Sequence, residues 1–434
     1  MNSIKGSPKE GLFGATLGFF VGFAAVALFG PTASRFREVM DLSPVLVGVL
    51  VAMPALSGSL LRIPFSAWVD TTGGRKPFLV LLCLSVVGML GLLYIVYFYY
   101  PENMDIKLYP LLLLFGVLSG CGIATFSVGI SQVSYWHGQS QQGRALGTYA
   151  GFGNLAPGLF SFLLPVALSR WGLSGSYLAW LLFLIAGTVL YYVTGKNAWY
   201  FQYLRNGVAP DEARKQSEAA GQELFPAGST LASLKISAAV WKTWALVGIY
   251  FTTFGGFIAL TAWFPTYWRS FFEVSALMAG LLTALYSVLT SIIRVLGGRI
   301  ADKLGGEVTL LLSLSAMLVG ALLLALSSNL PISIGAEVIL GMGMGIANAA
   351  VFKLVPQEVP QAVGGAAGWV GGLGAFGGFA IPPIMGTFVS SLGDVGYARG
   401  FLVFVLLAGL SIALSLALKW AHGRLGMAVV PGGK

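Results

Sequence analysis

Charged residues are scarce in this sequence. Asp, Glu, Lys and Arg make up only 9% of its 434 residues, whereas 56% of the residues are hydrophobic. A soluble globular protein carries about 25% charged residues, so most of the surface of this chain does not face water. The composition therefore excludes a soluble enzyme.

Cysteine and histidine are also nearly absent, with two of each. Cys83 and Cys121 lie in apolar runs without the spacing of metal ligands, and the sequence gives no ground for a disulfide between them. His137 follows one apolar run and His422 follows the last one. No nucleophile–base pair and no cluster of metal ligands lies within the runs, so we expect neither an enzyme nor a metal ion or cofactor.

What the sequence does contain is a series of long apolar runs. We identify twelve of them, at residues 11–31, 44–69, 78–99, 108–135, 145–168, 175–194, 243–267, 275–298, 308–328, 331–352, 363–389 and 399–420. Each meets or exceeds the ~20 residues that a helix needs to cross the hydrocarbon core of a bilayer. We therefore predict an all-α membrane protein with twelve transmembrane helices. The first run has no A-x-A-like cleavage site, so we interpret it as a retained helix and not as a signal peptide.

The net charge of +9 reflects membrane topology. If the spans alternate from a cytoplasmic N-terminus, most of the 25 Lys and Arg residues fall on the cytoplasmic side. This asymmetry is the positive-inside rule. We therefore predict that both termini are cytoplasmic. We also predict that the apolar surface of the protein contacts membrane lipids and that the chain does not bind nucleic acid.

A polar segment divides the spans into two groups of six. Residues 195–242 are mixed in charge and predict a cytoplasmic linker. On this basis the chain has an N-terminal six-helix bundle at 1–194 and a C-terminal six-helix bundle at 243–434.

The two halves repeat the same patterns. The first is R-x7-D-x2-G-G at the end of the second span of each half, where Arg62, Asp70 and Gly73 align with Arg294, Asp302 and Gly305 at an offset of 232 residues. The second lies in the fifth span of each half, where Gly147, Gly151 and Gly153 align with Gly368, Gly372 and Gly374 at an offset of 221 residues. Two parallel six-helix repeats are typical of transporters with a site near the membrane midplane.

The stretch Gly298-RIA-Asp302-Lys303-L-Gly305 resembles the loop between helices two and three of major facilitator proteins, G-x-x-x-D-[RK]-x-G. The first-half copy departs from it, with Ser66 in place of the first glycine and Thr71 in place of the basic residue. The resemblance implies the major facilitator fold, with two pseudo-symmetric six-helix bundles, in which Asp70, Gly73, Asp302 and Gly305 form the structural loop motifs.

The two repeated arginines predict a substrate site. Each lies eight residues before an aspartate at the membrane surface, or about 12 Å deeper, which is close to the midplane. The only carboxylate within an apolar run is Glu337, near the outer end of the tenth span. Two guanidinium groups that face one cavity without a balancing carboxylate require an anion, and their planar fork suits a flat oxyanion. The alternative is that each arginine snorkels to the surface or bonds backbone carbonyls.

The glycine-rich fifth and eleventh spans, together with these arginines, resemble the paired signature motifs of the nitrate/nitrite porter family. Similarity extends to Gly122-IAT-Phe126-SVGISQVSYW in the fourth span and to Tyr250-FTT-Phe254-GGFIAL in the seventh. Pro157 departs from the regular glycine pattern of the fifth span. The resemblance implies that substrate is held by Arg62 and Arg294, contacted by Asn154 and Tyr250, and enclosed by Phe126 and Phe254, with Gly151, Gly153, Gly368 and Gly372 as packing and gating glycines. Asn154, Tyr250 and the two phenylalanines could instead serve helix packing.

The function that follows is transport of nitrate and nitrite by alternating access, as nitrate/nitrite exchange, by a monomer in a bacterial inner membrane. Three alternatives stay open at this point. Proton-coupled nitrate uptake needs a group that titrates in the cavity, and Glu337, the only carboxylate within an apolar run, is the one visible candidate. A porter for another organic or phosphate anion could use the same arginines. A non-transporting sensor would need a soluble output domain, and the longest polar segment here is the linker.

Overall fold

The structure is a computed structural model that describes residues 4–226, 230–359 and 362–427. Within these ranges the chain is almost entirely helical and contains no β-strand. Eleven helical segments among the described residues are long and apolar enough to cross a membrane. One of them, Ala145–Thr194, has 50 residues, which is more than twice the length that a span requires. It is interrupted at Gly172, where φ is 65° and ψ is −170°, and it therefore contains two spans.

The prediction of twelve spanning helices is thus confirmed. We number them α1 (Pro8–Met40), α2 (Pro44–Thr72), α3 (Arg75–Tyr99), α4 (Ile106–Trp136), α5 (145–171), α6 (173–194), α7 (Trp241–Phe271), α8 (Ala276–Leu304), α9 (Gly306–Leu326), α10 (Leu330–Val355), α11 (Gly365–Leu392) and α12 (Val395–Ala421). Three short helices lie between α6 and α7, at Trp199–Arg205, Pro210–Ala219 and Thr230–Ala238. They fall within the segment 195–242; the division of the chain into domains at its borders stays a prediction.

Several spans are irregular near their middle. Three spans are divided into two helical segments: α2 into Pro44–Leu60 and Arg62–Thr72, α5 into Gln139–Gly153 and a segment that begins at Leu155, and α11 into Val363–Ala375 and Gly377–Leu392. In α7, Phe251–Gly255 forms a π-helical turn. Irregular backbone at membrane depth is tolerated only where protein or a water-filled cavity surrounds it. π-Helical turns are also frequent at functional sites. The breaks therefore mark the centre of the molecule, between the two halves.

The two repeated loops adopt similar backbone geometry with different partners. Gly73 has a φ of 74° and Gly305 a φ of 85°, in the left-handed region that favours glycine. Asp70 accepts a hydrogen bond of 2.7 Å from the hydroxyl of Tyr135, whereas Asp302 forms a salt bridge of 2.8 Å with Lys353. The end of the bundle that carries these loops and the segment 195–242 is called the linker end below.

The two halves are packed tightly at the end opposite the linker. A Cβ on Gly48 in α2 would lie 2.6 Å from the carbonyl oxygen of Pro382 in α11, and a Cβ on Gly386 would lie equally close to the carbonyl oxygen of Pro44. Such crossings of small residues let helix backbones approach closely. Two hydrogen bonds join the halves at the same end: Arg37 Nη1 donates to the Tyr397 hydroxyl at 3.0 Å, and Arg269 Nη1 donates to Ser34 Oγ at 3.4 Å.

Toward the linker end, α5 and α8 separate from one another. A Cβ on Gly151 would have Val295 Cγ2 as its nearest neighbour, at 3.9 Å, and for Gly147 and Gly298 no described residue of another helix comes within 4 Å of such a position. The structure is therefore closed at the end opposite the linker and more open between these helices at the linker end.

Candidate substrate-binding site

The structure brings the two repeated arginines to one place. Arg62 is the first residue of the second segment of α2, and Arg294 lies within the continuous helix α8. Both guanidinium groups lie against the ring of Phe254, with distances to its centroid of 5.2 Å and 5.6 Å. The predicted convergence of the arginines is thus present in the structure, and their role in binding stays a prediction.

Arg62 is almost completely buried, with 1% of its surface exposed. Its Nε donates to the carbonyl oxygen of Gly58 at 2.9 Å, and its Nη1 donates to the carbonyl oxygen of Gly371 at 3.0 Å. The alternative in which an arginine bonds backbone carbonyls is therefore realised for part of this side chain. Its Nη2 is buried and has no hydrogen-bond partner among the described residues. One donor group is left for a ligand.

Arg294 is half-buried and makes fewer contacts. Its Nη2 donates to the hydroxyl of Tyr250 at 3.5 Å, and its Nη1 is buried without a partner in the described part of the chain. No salt bridge joins either Arg62 or Arg294 to a described carboxylate. Two cations with free donors and no counter-ion favour an anion between them, since charged groups in a span are costly unless they are paired.

Aromatic rings enclose the guanidinium groups. Phe126 lies 4.9 Å from the Arg62 guanidinium carbon, and its ring centroid is 5.8 Å from that of Phe254. Tyr250 and Phe254 stack at 4.9 Å with an interplanar angle of 10°. Because α7 contains a π-helical turn at Phe251–Gly255, these residues lie where the helix departs from regular geometry. Five of the residues that the family resemblance assigns to the site therefore lie together, with rings from both halves: Arg62, Arg294, Phe126, Tyr250 and Phe254.

Sequence reasoning missed Phe352 in α10, which lies 5.9 Å from the Arg294 guanidinium carbon and packs edge-on against Tyr250. It corresponds to Phe126 in α4, since both rings lie against the arginine of their own half. Their separation, from 126 to 352, lies between the two repeat offsets. Continuing the repeat into the fourth span of each half would have identified it.

A third repeat was also missed, in the first span of each half. Phe19 and Phe23 in α1 have ring centroids 4.8 Å apart, close to the 4.9 Å between Tyr250 and Phe254 in α7, although the first pair is tilted by 40° and the second is stacked. The two pairs are 231 residues apart in sequence (19 to 250 and 23 to 254). Phe23 stacks on Phe254 with an interplanar angle of 4° and a centroid distance of 6.5 Å. The aromatic wall is therefore continuous across the two halves.

Asn154 lies at the break of α5 and is buried. Its backbone carbonyl accepts a hydrogen bond of 3.1 Å from Ser291 Oγ, one helical turn before Arg294. Its side-chain Oδ1 has no partner among the described residues. The structure thus places Asn154 beside the α8 arginine, without a direct hydrogen bond to it within the described contacts.

The four predicted packing and gating glycines fall into two groups. A Cβ on Gly153 would overlap the Phe19 ring, and one on Gly372 would lie 2.8 Å from Ile63. Gly151 and Gly368 have more room, because their nearest neighbours would be 3.9 Å and 3.4 Å away. Close packing therefore accounts for Gly153 and Gly372 in this conformation, and a gating role for the other pair stays a prediction.

Glu337 lies outside this cluster. It is fully buried in α10, and its Oε1 accepts a hydrogen bond of 3.3 Å from Trp268 Nε1, while its Oε2 has no partner in the described residues. Trp268 and Phe254 are both in α7, four helical turns apart, which corresponds to about 20 Å along the axis. The carboxyl group is therefore too far away to touch an anion held by the two arginines.

Comparisons with known proteins agree with this geometry. A family model described as Major Facilitator Superfamily matches residues 15–382 and 280–430. Two solved transporters have a similar fold. The xylose transporter XylE of E. coli, in a partially occluded inward-open conformation, matches with a TM-score of 0.69 and 15% identity, over 98% of this chain and 100% of its own. A D-xylose–proton symporter matches with a TM-score of 0.70 and 13% identity, over 94% of this chain and 97% of its own. At these identities the likeness concerns the fold alone.

Curated relatives are similar along nearly the whole chain. One from Thermus thermophilus, named "Probable nitrate/nitrite antiporter NarK1", is 30% identical over 94% of this chain and 89% of its own length. Another from Staphylococcus epidermidis, named "Probable nitrate transporter NarT", is 28% identical over 90% of this chain and 91% of its own length. The chain therefore belongs to the Major Facilitator Superfamily and, within it, to the nitrate/nitrite porter family.

Proposed function

We propose that this protein exchanges nitrate and nitrite across the membrane by alternating access, with the anion held between Arg62 and Arg294. The observation that carries the proposal is a pair of guanidinium groups, that of Arg62 buried and that of Arg294 half-buried, which share one aromatic wall and keep donors without partners among the described residues. The relatives that are named as nitrate or nitrite transporters support the same substrates.

The chemistry of the site favours a small flat anion over a tetrahedral one. Nitrate and nitrite are planar, singly charged and weakly hydrated. Their transfer from water to a pocket of aromatic rings therefore costs less hydration free energy than that of phosphate or sulfate. Guanidinium groups donate in one plane and can bind such an oxyanion with parallel hydrogen bonds. Phosphate or sulfate would need more donors than Arg62 Nη2 and Arg294 Nη1 leave available.

The binding site also couples the halves. Arg62 belongs to the N-terminal half but donates to the carbonyl of Gly371 in α11, whereas Arg294 bonds to Tyr250 within its own half. An anion that accepts hydrogen bonds from both arginines neutralises their repulsion and joins the halves at the centre. The empty site lacks this bridge, so the loaded carrier passes between its two open states more readily than the empty one. This asymmetry favours exchange over net uptake.

We further propose that the linker end is cytoplasmic, because the positive-inside rule predicts this orientation from the distribution of Lys and Arg. The tight crossings at Gly48 and Gly386 would then close the outer end in this conformation. Alternating access requires these crossings to open and the linker end to close.

Exchange can be tested with the purified protein in liposomes. We expect nitrate to enter vesicles that contain nitrite or nitrate and not vesicles that contain neither, and we expect an imposed pH gradient to have no effect. Uptake into anion-free vesicles that depends on an inward proton gradient would contradict exchange and support proton-coupled transport. Competition by nitrite should be strong, whereas a porter for organic anions would be inhibited by formate or glycerol phosphate instead.

Replacement of Glu337 by glutamine tests the one visible candidate for proton coupling. Glutamine keeps the size of the side chain and a carbonyl oxygen for Trp268, and Trp268 lies about 20 Å along α7 from Phe254 in the arginine cluster. We therefore expect nitrate/nitrite exchange to stay within about twofold of the unaltered rate and to remain independent of a pH gradient. A variant that exchanges anions normally but has lost proton-driven net uptake would identify Glu337 as a coupling residue and contradict the exchange model.

A further inference from the structure

A large groove lies on the outside of the N-terminal half, at the linker end and away from the arginine cluster. It has a volume of about 860 Å³ and is formed by α3, the ends of α2 and α6, and the short helix Trp199–Arg205. Neither the transport mechanism nor the family resemblance uses it.

The groove has a basic end and an apolar end. Arg75, Lys76 and Arg205 line it near the linker, whereas Leu79, Val80, Cys83, Leu84 and Val87 line it further along α3. None of the three cations forms a salt bridge with a described carboxylate. Arg75 Nη2 donates to the carbonyl oxygen of Tyr192, and its Nε is buried without a partner in the described part of the chain. Arg75 also lies against the ring of Tyr192, and Lys76 lies against the ring of Trp68. The basic end therefore carries three positive charges that no described carboxylate neutralises.

The length of the apolar part matches one leaflet of a bilayer. From Lys76 to Val87 the groove follows one face of α3 for about 16 Å. Half of the hydrocarbon core of a membrane is about 15 Å thick. Cys83 and Val87 are exposed along this face. An elongated amphipathic molecule with its charged end at Lys76 would thus lie along α3 at the depth that a lipid acyl chain occupies.

The basic end is held in a fixed shape by Asn197, near the start of the segment 195–242. Asn197 donates from Nδ2 to the carbonyl oxygen of Thr72 at 3.0 Å, and its Oδ1 accepts from the backbone N–H of Arg75 at 2.8 Å. A Cβ on Gly73 would lie 2.5 Å from the Asn197 side chain, and the φ of 74° at this residue also favours glycine. The short helix that carries Arg205 follows directly, which fixes this cation relative to α3.

We propose that the groove binds an anionic phospholipid, with its headgroup phosphate between Arg75, Lys76 and Arg205 and one acyl chain along α3. Basic pockets between transmembrane helices on the cytoplasmic side are suited to anionic headgroups. A groove with both a basic end and an apolar end fits an anionic lipid better than two other ligands. Free phosphate would leave the apolar part empty, and the headgroup of a zwitterionic lipid would be attracted less strongly by three cations. The bound lipid would attach the start of the linker to α3.

The proposal can be tested by native mass spectrometry of the purified full-length protein with phosphatidylglycerol or phosphatidylcholine of the same acyl chains. We expect the Lys76→Gln/Arg205→Gln variant to bind phosphatidylglycerol about 30-fold more weakly, since each cation near the surface contributes about fivefold. Binding of phosphatidylcholine should not change. A Cys83→Trp variant, which fills the apolar part without changing charge, should also bind phosphatidylglycerol more weakly.

The matched control is Lys215→Gln/Arg299→Gln, which removes two exposed cations of the linker end outside the groove and should leave lipid binding unchanged. Equal affinity of the unaltered protein for the two lipids would overturn the proposal, as would an equal loss in the control variant. If inorganic phosphate displaces the lipid while Cys83→Trp has no effect, the ligand is a soluble anion and the lipid site is refuted.

Discussion

Nitrate/nitrite exchange is expected to fall about 10- to 150-fold when either Arg62 or Arg294 is replaced by lysine. Each substitution keeps the charge but removes the planar fork, and a hydrogen bond to a charged group contributes about 1.5–3 kcal/mol. Arg62→Lys also loses at least one of the bonds to Gly58 and Gly371 that orient the side chain. The measurement is the initial rate of nitrate counterflow into nitrite-loaded proteoliposomes.

Arg299→Lys is the matched control for Arg294→Lys. It lies on the same helix, five residues nearer the linker end, and its side chain is exposed. The control should exchange nitrate at the unaltered rate. If Arg62→Lys or Arg294→Lys also exchanged at that rate, the residue concerned would not belong to the substrate site, and a point charge would be sufficient for transport.

Gly48→Val is expected to reduce exchange about tenfold or more while leaving nitrate binding within about twofold of normal. A Cβ at this position would lie 2.6 Å from the Pro382 carbonyl oxygen and 2.9 Å from Pro383 Cα, both of them backbone atoms of α11. Overpacking of this kind costs about 1–3 kcal/mol, and it acts only on the conformation in which α2 and α11 cross closely. The variant should therefore favour the conformation that is open at this end, away from the arginines.

The comparison for this variant is Gly409→Val in α12. Gly409 is exposed, and no described residue of another helix comes within 4 Å of a Cβ placed there, so valine should change neither exchange nor binding. Rates of exchange and binding are measured on the same protein preparations. Normal exchange by Gly48→Val would mean that the α2–α11 crossing does not open and close during transport, whereas loss of nitrate binding would point to misfolding.

The arginine cluster was predictable because charge within an apolar run is costly, so that two arginines at matching repeat positions give a strong signal. The repeat also fixed their depth, since each is eight residues from a loop aspartate. The aromatic partners Phe126, Tyr250 and Phe254 came from the family resemblance, and packing alone would not have distinguished them among 29 phenylalanines and 16 tyrosines. Phe352 could have been found by extending the repeat.

The remaining features depend on how the halves pack. The bond from Arg62 to Gly371 requires α11 to approach α2 at the break of α2, and no local pattern determines that approach. The room around Gly151 and Gly368 likewise depends on which end of the bundle is closed. A transporter sequence must be compatible with several conformations. Contacts that form in only one of them therefore cannot be predicted from helix propensity or from the period of hydrophobic residues.

Equilibrium binding of nitrate to the purified protein, measured by calorimetry, tests the central claim most directly, because it separates recognition of the anion from movement of the halves. The unaltered protein, Arg299→Lys and Gly48→Val are expected to bind nitrate, and Arg62→Lys and Arg294→Lys are expected to bind it at least about tenfold more weakly. Binding of unaltered strength in either of the last two variants would contradict a site in which one anion is shared by both arginines.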